Sequence, residues 1–565
     1  MPDLLTLDDP RACEIAVSGA KAAGLAEAVA RGLPVVPGVV VPADALAPAV
    51  AEGRNALSRS PAAARLAVAG ARIDASVLEA LHAACVGFRH GAIVRSSSPL
   101  ERDPRWSGAF ATYHEVGPDD LRTALLGCAA SLFSRDVVAR ADEMGMSPTD
   151  LSVAGLIQPW LPFDGGGTAS VASDGVVTVH GARGDPAMLV SGRAQGGSAT
   201  VAVDGRVEGH LVAEGFAPVV VLGVAELARR VVDRLGASVI EWGIADAEIR
   251  LLQVRNPVAA PAPPFHLEEP ARPSTTMERR LARLALRFPG PIGELTVLPW
   301  AVTFDEPLDP APTVVTDPTA AYERILADAA ELRAHVWGTD PQTAGASWSE
   351  AARTLLSGDA DGSDPDTFGR LRRPDRAVAA RLLGSIRGLG EALVGRGALS
   401  HPETIWRLTP HDLELAARDA SDRATISHGP DRWEPFIASV VFAGGEVSVG
   451  LPVAPGVGAG VAHPLVAGAG RPGPRAVLIA QRPLPQIAPL LWGCAGLVTI
   501  EGNEGAHLFE VARSLGVPAV TSLRLGVSGA PAPDTPVAVD GDRGTVALLE
   551  ADPVTERLMT VEARA

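Results

Sequence analysis

Lysine is all but missing from this 565-residue sequence: among 49 basic residues, Lys21 is the only lysine. Arginine serves at every other basic position, so solubility does not call for lysine here. A lone ammonium then marks a place where a compact charge must reach one phosphate oxygen and a planar guanidinium would not fit, the plainer reading being drift at a tolerant position. Cysteine is scarce as well. Cys13, Cys85, Cys128 and Cys494 are far apart, form no CxxC and have no metal-like spacing to histidines, which excludes a disulfide framework and a zinc module and leaves reduced structural thiols. Positive charge is in short supply. A net charge of −17 argues against nucleic acid and against an anionic membrane as partners, since phosphate backbones and acidic headgroups would be repelled. Any phosphate site must therefore be local. No apolar run is long enough to cross a bilayer, and the acidic opening MPDLLTLDDPR is unlike a signal peptide, so a cytoplasmic protein is expected.

What is present describes a soluble globular protein, 47% hydrophobic and 20% charged. The length is too great for one core, and three or four domains are expected. The fold class expected is a multidomain mixture of α/β and α+β. A proline-rich linker over 259–276 separates residues 1–258 from a mainly helical region, 277–435, and a last domain of alternating strands and helices occupies 436–565.

The last domain contains the stretch around which the chain is organised, GLVTIEGNEGAHLFEVARSLGVPAVTS over 496–522. A short buried strand leads into a loop loosened by Gly502 and Gly505, and a helix starts at His507. Leu508, Val511, Ala512 and Leu515 recur at helical spacing, so one face is apolar while His507, Glu510 and Ser514 fall on another, which presents the histidine to solvent or to a partner surface. A helix N-terminus favours an anion and disfavours imidazolium, which suits a neutral imidazole that attacks a phosphoryl group and then carries it. Taken alone, the same position suits a capping or surface histidine.

Elsewhere, the pattern of 17–41 reads as a loop, a helix from about Ala20 to Arg31, a tight turn and a strand broken by Pro37-Gly38. Lys21 falls in the first helical turn, where backbone N–H groups and the ammonium could converge on an anion. Arg95 ends an apolar strand and is followed by three serines, a plausible phosphate clamp or an ordinary salt-bridge partner. Helical periodicity runs over 119–146. The glycine-rich stretches 162–173 and 181–197 suit phosphate-covering loops or plain hairpin turns. Residues 239–244 and 249–254 read as a hairpin in which Glu241 and Gln253 lie close across neighbouring strands, with Arg255 on the same face, the two oxygens and one cation needed to hold Mg²⁺ on nucleotide phosphates. In the helical region Trp300, Trp337, Trp348 and Trp406 suit an aromatic-lined pocket or packing anchors.

These segments resemble the ATP-grasp nucleotide-binding domain and the swivelling β/β/α phosphohistidine domain of the phosphohistidine dikinase family, which includes phosphoenolpyruvate synthase, pyruvate phosphate dikinase and rifampicin phosphotransferase. Lys21 matches the phosphate-binding lysine before the GLPVVPG turn, Arg95 the arginine of VRSS, and Glu241 and Gln253 the magnesium ligands of IEW and LLQ, with Arg255 as companion arginine. Gln158 occupies the hinge beside which that family binds adenine. His507 matches the phosphorylated histidine, within a signature that also takes in Thr499, Gly502, Arg513 and Gly516. Asn503 replaces a glycine of that loop, Gly505 remains, Ala506 replaces a serine, and Phe509-Glu510 replace Ala-Ile.

The resemblance implies ATP and Mg²⁺ as cofactors and an enzyme that moves the β-phosphate of ATP onto His507, releasing AMP and phosphate, then passes it to a small-molecule hydroxyl or nitrogen acceptor. An acceptor region lying between the ATP and histidine domains, with no barrel expected after them, is closest to the order in rifampicin phosphotransferase. A second reading is a charging subunit whose phosphohistidine is discharged by a separate barrel subunit of a phosphoenolpyruvate synthase-like system. A third is a non-catalytic nucleotide-binding relative.

Overall fold

The computed structural model describes residues 4–147, 150–255, 310–337, 376–399, 401–418, 434–466, 475–524 and 535–549, with a few short stretches between them. Helices and sheets are mixed throughout, and the chain divides into two compact units. The first comprises Met1–Ala262, Gln481–Trp492 and Thr499–Gly516; the second comprises Pro263–Ala480, Gly493–Val498 and Val517–Ala565.

Two antiparallel sheets build the first unit. Strands β1 (Leu5–Thr6), β2 (Val39–Val41), β3 (Ala92–Ser97), β4 (Thr112–Val116) and β5 (Ala154–Pro159) run in the order β1-β2-β5-β3-β4. Helices α1 (Ile15–Ala30), α2 (Ala43–Leu57), α3 (Pro61–Gly70), α4 (Ala75–Cys85), α5 (Leu121–Ala130) and α6 (Arg135–Glu143) accompany it. Leu46, Val68, Leu81, Leu125 and Phe133 bury their faces in one core with Val94 of β3. The helical pattern over 119–146 resolves into α5 and α6, because the Ser134 hydroxyl accepts the Val137 N–H at 3.1 Å and starts a new helix there.

The second sheet follows the order β11-β10-β6-β7-β8-β9, from β6 (Gly165–Val171), β7 (Val177–Arg183), β8 (Gly197–Val201), β9 (Val207–Gly209), β10 (Val239–Ala245) and β11 (Glu248–Arg255). Helix α7 (Pro186–Val190) and the longer α8 (Pro218–Leu235) pack on it. Here the structure corrects the reading of 162–173 and of the start of 181–197 as covering loops. Gly165, Gly166 and Gly167 lie within β6, paired on both sides, and Gly181 lies within β7. The glycines are required by close approach: a Cβ on Gly166 would fall 2.3 Å from the Trp242 carbonyl, and one on Gly167 2.2 Å from that of His180.

In the second unit, helices Pro318–Trp337, Arg376–Gly395 and Pro410–Arg418 share a core through Ile325, Leu382, Ile386 and Leu413, and Trp406 is buried there as a packing residue. Of the region expected to be mainly helical, residues 277–309, single positions apart, and 338–375 lie outside the described residues, as do Trp300, Trp348 and most of the linker. Strands β12 (Glu446–Ala454), β13 (Val457–Pro464), β14 (Ala476–Ala480), β15 (Gly496–Thr499), β16 (Ala519–Arg524), β17 (Pro536–Asp540) and β18 (Thr545–Leu548) close a barrel in the order β12-β16-β15-β14-β13-β17-β18. The helix Glu434–Gly444 covers β13, β17 and β18. The glycine-rich segment APGVGAG is mostly strand, and Gly458 and Gly460 let β13 approach the carbonyls of Ala495 and Arg475, where a Cβ would lie 1.8 Å away in each case. Pro485–Leu490 is a single stretch of 3₁₀ turn rather than an α-helix, since Pro489 inside it has no N–H to donate, whereas Pro485 stands at the first position where none is needed.

Candidate active site

The site is assembled within the first unit. In β3 and β5, Ile93 pairs with Gln158 and Arg95 with Leu156, and the alternation of strands places Ile93, Arg95 and Gln158 on one face. In the second sheet Glu241 pairs directly with Gln253, and a bulge follows Glu241. Arg95 ties the two sheets together: its guanidinium donates to the Leu252 carbonyl at 2.8 Å and to Gln253 Oε1 at 3.0 Å, and lies 3.9 Å from Glu241. Arg255 forms ion pairs with both Glu241 and Glu510.

Lys21 follows a break in α1 at Gly19, whose φ of 72° permits the kink. Its ammonium donates to the Ser96 carbonyl at 3.3 Å and pairs with Glu101. The first-turn amides do not converge on the same point, contrary to expectation. Ala20 N–H is taken by the Ser98 carbonyl and Ala22 N–H by the Ser97 hydroxyl, because the kinked helix docks on the end of β3.

The helix His507–Leu515 packs on the turns Pro104–Trp106 and Pro485–Leu490. Its buried residues include Leu508, Phe509, Val511 and Ala512. Of the two expectations for His507, solvent or a partner surface, solvent does not hold: its side chain is 15% exposed and is packed against other residues of the first unit. Nδ1 lies 3.0 Å from the Ser107 hydroxyl, and Nε2 lies 3.9 Å from Glu241 Oε1. Ser107 in turn donates to Glu510 Oε2 at 2.5 Å. The fully buried Arg140 fixes this corner, donating to the carbonyls of Arg105, Ser107 and Pro485 at 2.8, 3.1 and 3.2 Å.

The loop before the histidine is equally constrained. Gly502 has a φ of 150°, Asn503 Oδ1 accepts the Gly505 N–H at 2.9 Å, and a Cβ on Gly505 would lie 2.6 Å from the Thr168 hydroxyl. Asn503 thus closes a turn that side-chain chemistry favours. Glu504 approaches His180 of β7 at 3.6 Å. Ala506 has no side chain with which to cap the helix.

A cavity of about 620 Å³ is lined by Lys21, Arg95, Gln158, Glu241, Gln253, Arg255 and His507. Away from the histidine it continues past Ile93, Trp160 and Phe163, and there Gln158 donates to the Val36 carbonyl at 2.7 Å. The stretch past Ile93, Trp160 and Phe163 is thus the more apolar, and the end beside the histidine is densely charged. At the charged end burial opposes every ion, and the neighbours decide. Glu241 is pushed up by burial but held below the usual carboxylate range, chiefly by Arg255 and also by Arg95. Glu510 is likewise pushed up by burial and pulled well down, chiefly by Arg255. Arg255 is lowered by burial and raised further by Glu510 and Glu241, whereas for Arg95 burial prevails and lowers it. Carboxylates and cations therefore alternate as charged pairs.

Glu241 and Gln253 supply two hard oxygen donors, both buried and each held by an arginine, directly across the hairpin from one another. That donor set fits Mg²⁺, which uses one or two protein oxygens and completes its shell with substrate phosphates and water. Among the described residues, no group of three or more His, Cys, Asp or Glu side chains could hold a metal by itself.

Three residues of the site carried no assignment from the sequence. Glu510 was legible as a neighbour of His507, three residues on along one helix face. Glu101 is legible only as the closing member of a capping box with Ser98, which the structure contains; its pairing with Lys21 depends on the tertiary fold. Ser107, 400 positions from His507, gives no local signal.

Residues 472–544 match the family described as PEP-utilising enzyme, mobile domain. No curated protein matches the chain. Among solved structures the chain is similar to one titled "NMR solution structure of Enzyme I (nEIt) protein using two 4D-spectra", at 14% identity, over 46% of this chain and 90% of that one, with a TM-score of 0.13.

Proposed function

We propose that this protein is an ATP-dependent phosphotransferase of the dikinase type, in which His507 is charged from the β-phosphate of ATP and discharged onto a small-molecule hydroxyl or nitrogen acceptor. The observation that carries the reading is that His507 Nε2 opens onto the cavity that also holds Lys21, Arg95, Glu241 and Gln253. The mobile-domain match over the histidine segment points the same way. In the proposed reaction the apolar end receives adenine beside Gln158, and Lys21, Arg95 and Arg255 take the phosphates. Glu241 and Gln253 would hold Mg²⁺, which when bound would offset charge on the transferring group. His507 bonds to the β-phosphorus, the α–β bridging bond breaks and AMP leaves. Water then cleaves the terminal phosphoryl as inorganic phosphate, leaving phosphohistidine, a covalent relay whose imidazole is both nucleophilic and a good leaving group near neutral pH.

The description of the matched family as PEP-utilising favours keeping a second reading, in which the acceptor step belongs to a separate barrel subunit. Product analysis with Mg·ATP and no acceptor tests the first half. The expected result is about one AMP and one inorganic phosphate per chain in a single turnover, as a one-site relay requires, and neither from His507→Ala. ADP as the nucleotide product would refute it. Discharge that occurs only on adding a barrel protein, and with no small-molecule acceptor, would select the second reading.

A further inference from the structure

The proton inventory around His507 assigns the hydrogen that lies between Nδ1 and Ser107. The Ser107 hydroxyl has one hydrogen and three polar neighbours: Glu510 Oε2 at 2.5 Å, His507 Nδ1 at 3.0 Å and an Arg255 terminal nitrogen at 3.0 Å. Glu510 is a carboxylate pressed against the Arg255 guanidinium, so it only accepts, and at that separation the serine hydrogen lies between the two oxygens. The same Arg255 nitrogen carries two hydrogens. Its nearest acceptors are Glu510 and Ser107, with His507 Nδ1 farther away at 3.3 Å. With the serine and arginine hydrogens spoken for, the hydrogen between Ser107 and Nδ1 must come from the histidine.

We infer that Ser107 and Glu510 are positioning residues that hold His507 as its Nδ1–H tautomer, so that the lone pair at Nε2 faces the cavity as the nucleophile. The chain of donors runs from Nδ1–H to Ser107 Oγ and from Ser107 Oγ–H to Glu510 Oε2. Nε2, without hydrogen, makes no bond to Glu241, and their 3.9 Å separation agrees with this. The role in catalysis rests on the proposed function, but the tautomer does not.

The two are separable by experiment on the full chain with ¹⁵N-labelled histidine, taking the His507 ring signals as those missing from His507→Ala. Long-range ¹H–¹⁵N spectra at neutral pH without nucleotide should show hydrogen on Nδ1 and none on Nε2. Ser107→Ala removes the acceptor and frees Arg255 to donate to Nδ1, and Glu510→Ala frees the serine hydrogen to do the same. In both variants the ring hydrogen should move to Nε2, and charging by Mg·ATP should slow at least about tenfold, within the usual range for a misplaced acid–base group. A fold that has merely loosened would give averaged tautomers in both. Hydrogen on Nε2 in the parent protein, or retained on Nδ1 in both variants, would overturn the assignment. A parent with the expected tautomer that never takes phosphoryl from ATP would leave the assignment standing and remove the proposed function instead.

Discussion

Lys21 enters the cavity with Glu101 as its counter-ion, at a point where the neighbouring main-chain amides are already occupied. The ammonium therefore acts alone, which sharpens the case that a compact charge is needed. Lys21→Ala is expected to slow AMP formation roughly 10²–10³-fold, the usual effect of removing one preorganised cation or donor from a transferring group. Lys21→Arg should not restore the rate, because a fork of fixed geometry cannot occupy the same point; single-turnover AMP release measures both. His180 makes a different kind of prediction. It is 7% exposed, and burial, aided by the Arg513 charge, lowers its pKa from 6.5 to about 4. A histidine lowered on folding contributes stability that is complete above the unfolded value and is lost as pH falls from 6.5 toward 4, because the unfolded chain takes the proton first. The loss is on the order of 3 kcal/mol. Denaturant unfolding from pH 7 to pH 4 should show that His180→Asn loses less stability than the parent over this window; identical pH dependence would exclude His180 as its source.

At the scale of elements, the sequence carried the pattern of the hairpin β10–β11 because alternation, turn and chemistry all agreed there. Glu241 and Gln253 do face one another across it. The helices Arg376–Gly395 and Pro410–Arg418 lie in the region expected to be mainly helical, where apolar residues recur at helical spacing. The glycine-rich strands were not. A run such as Gly165–Gly167 lacks the branched and aromatic side chains that mark a strand, and its reason lies in the carbonyls that lean over it from β7 and β10. Gly167→Ala should therefore cost about 1–3 kcal/mol, as overpacking against fixed backbone does. Gly70→Ala, at the end of α3 with nothing within 4 Å of the new carbon, should be neutral or stabilise by about 0.4–1 kcal/mol. Equilibrium unfolding of both variants checks the contrast, and equal effects would contradict it.

Over the whole molecule, what the sequence could express was a set of residue types at characteristic local spacings. What it could not express was their convergence. Lys21, Ser107, Arg140 and Glu510 come from distant parts of the chain, and their mutual distances follow only from the fold. Among the described residues no helix is long and apolar enough to cross a membrane. The first unit holds a cavity with an apolar end, a charged end and a histidine whose Nε2 points inward, and the account stands or falls on what that nitrogen does. The most direct measurement is to expose the chain to Mg·ATP labelled at the β-phosphate, with no acceptor present, and recover the protein. The account requires acid-labile, base-stable label on the chain, mapped to the peptide containing His507 and absent from His507→Ala. Label that survives acid, or that persists in His507→Ala, would contradict it.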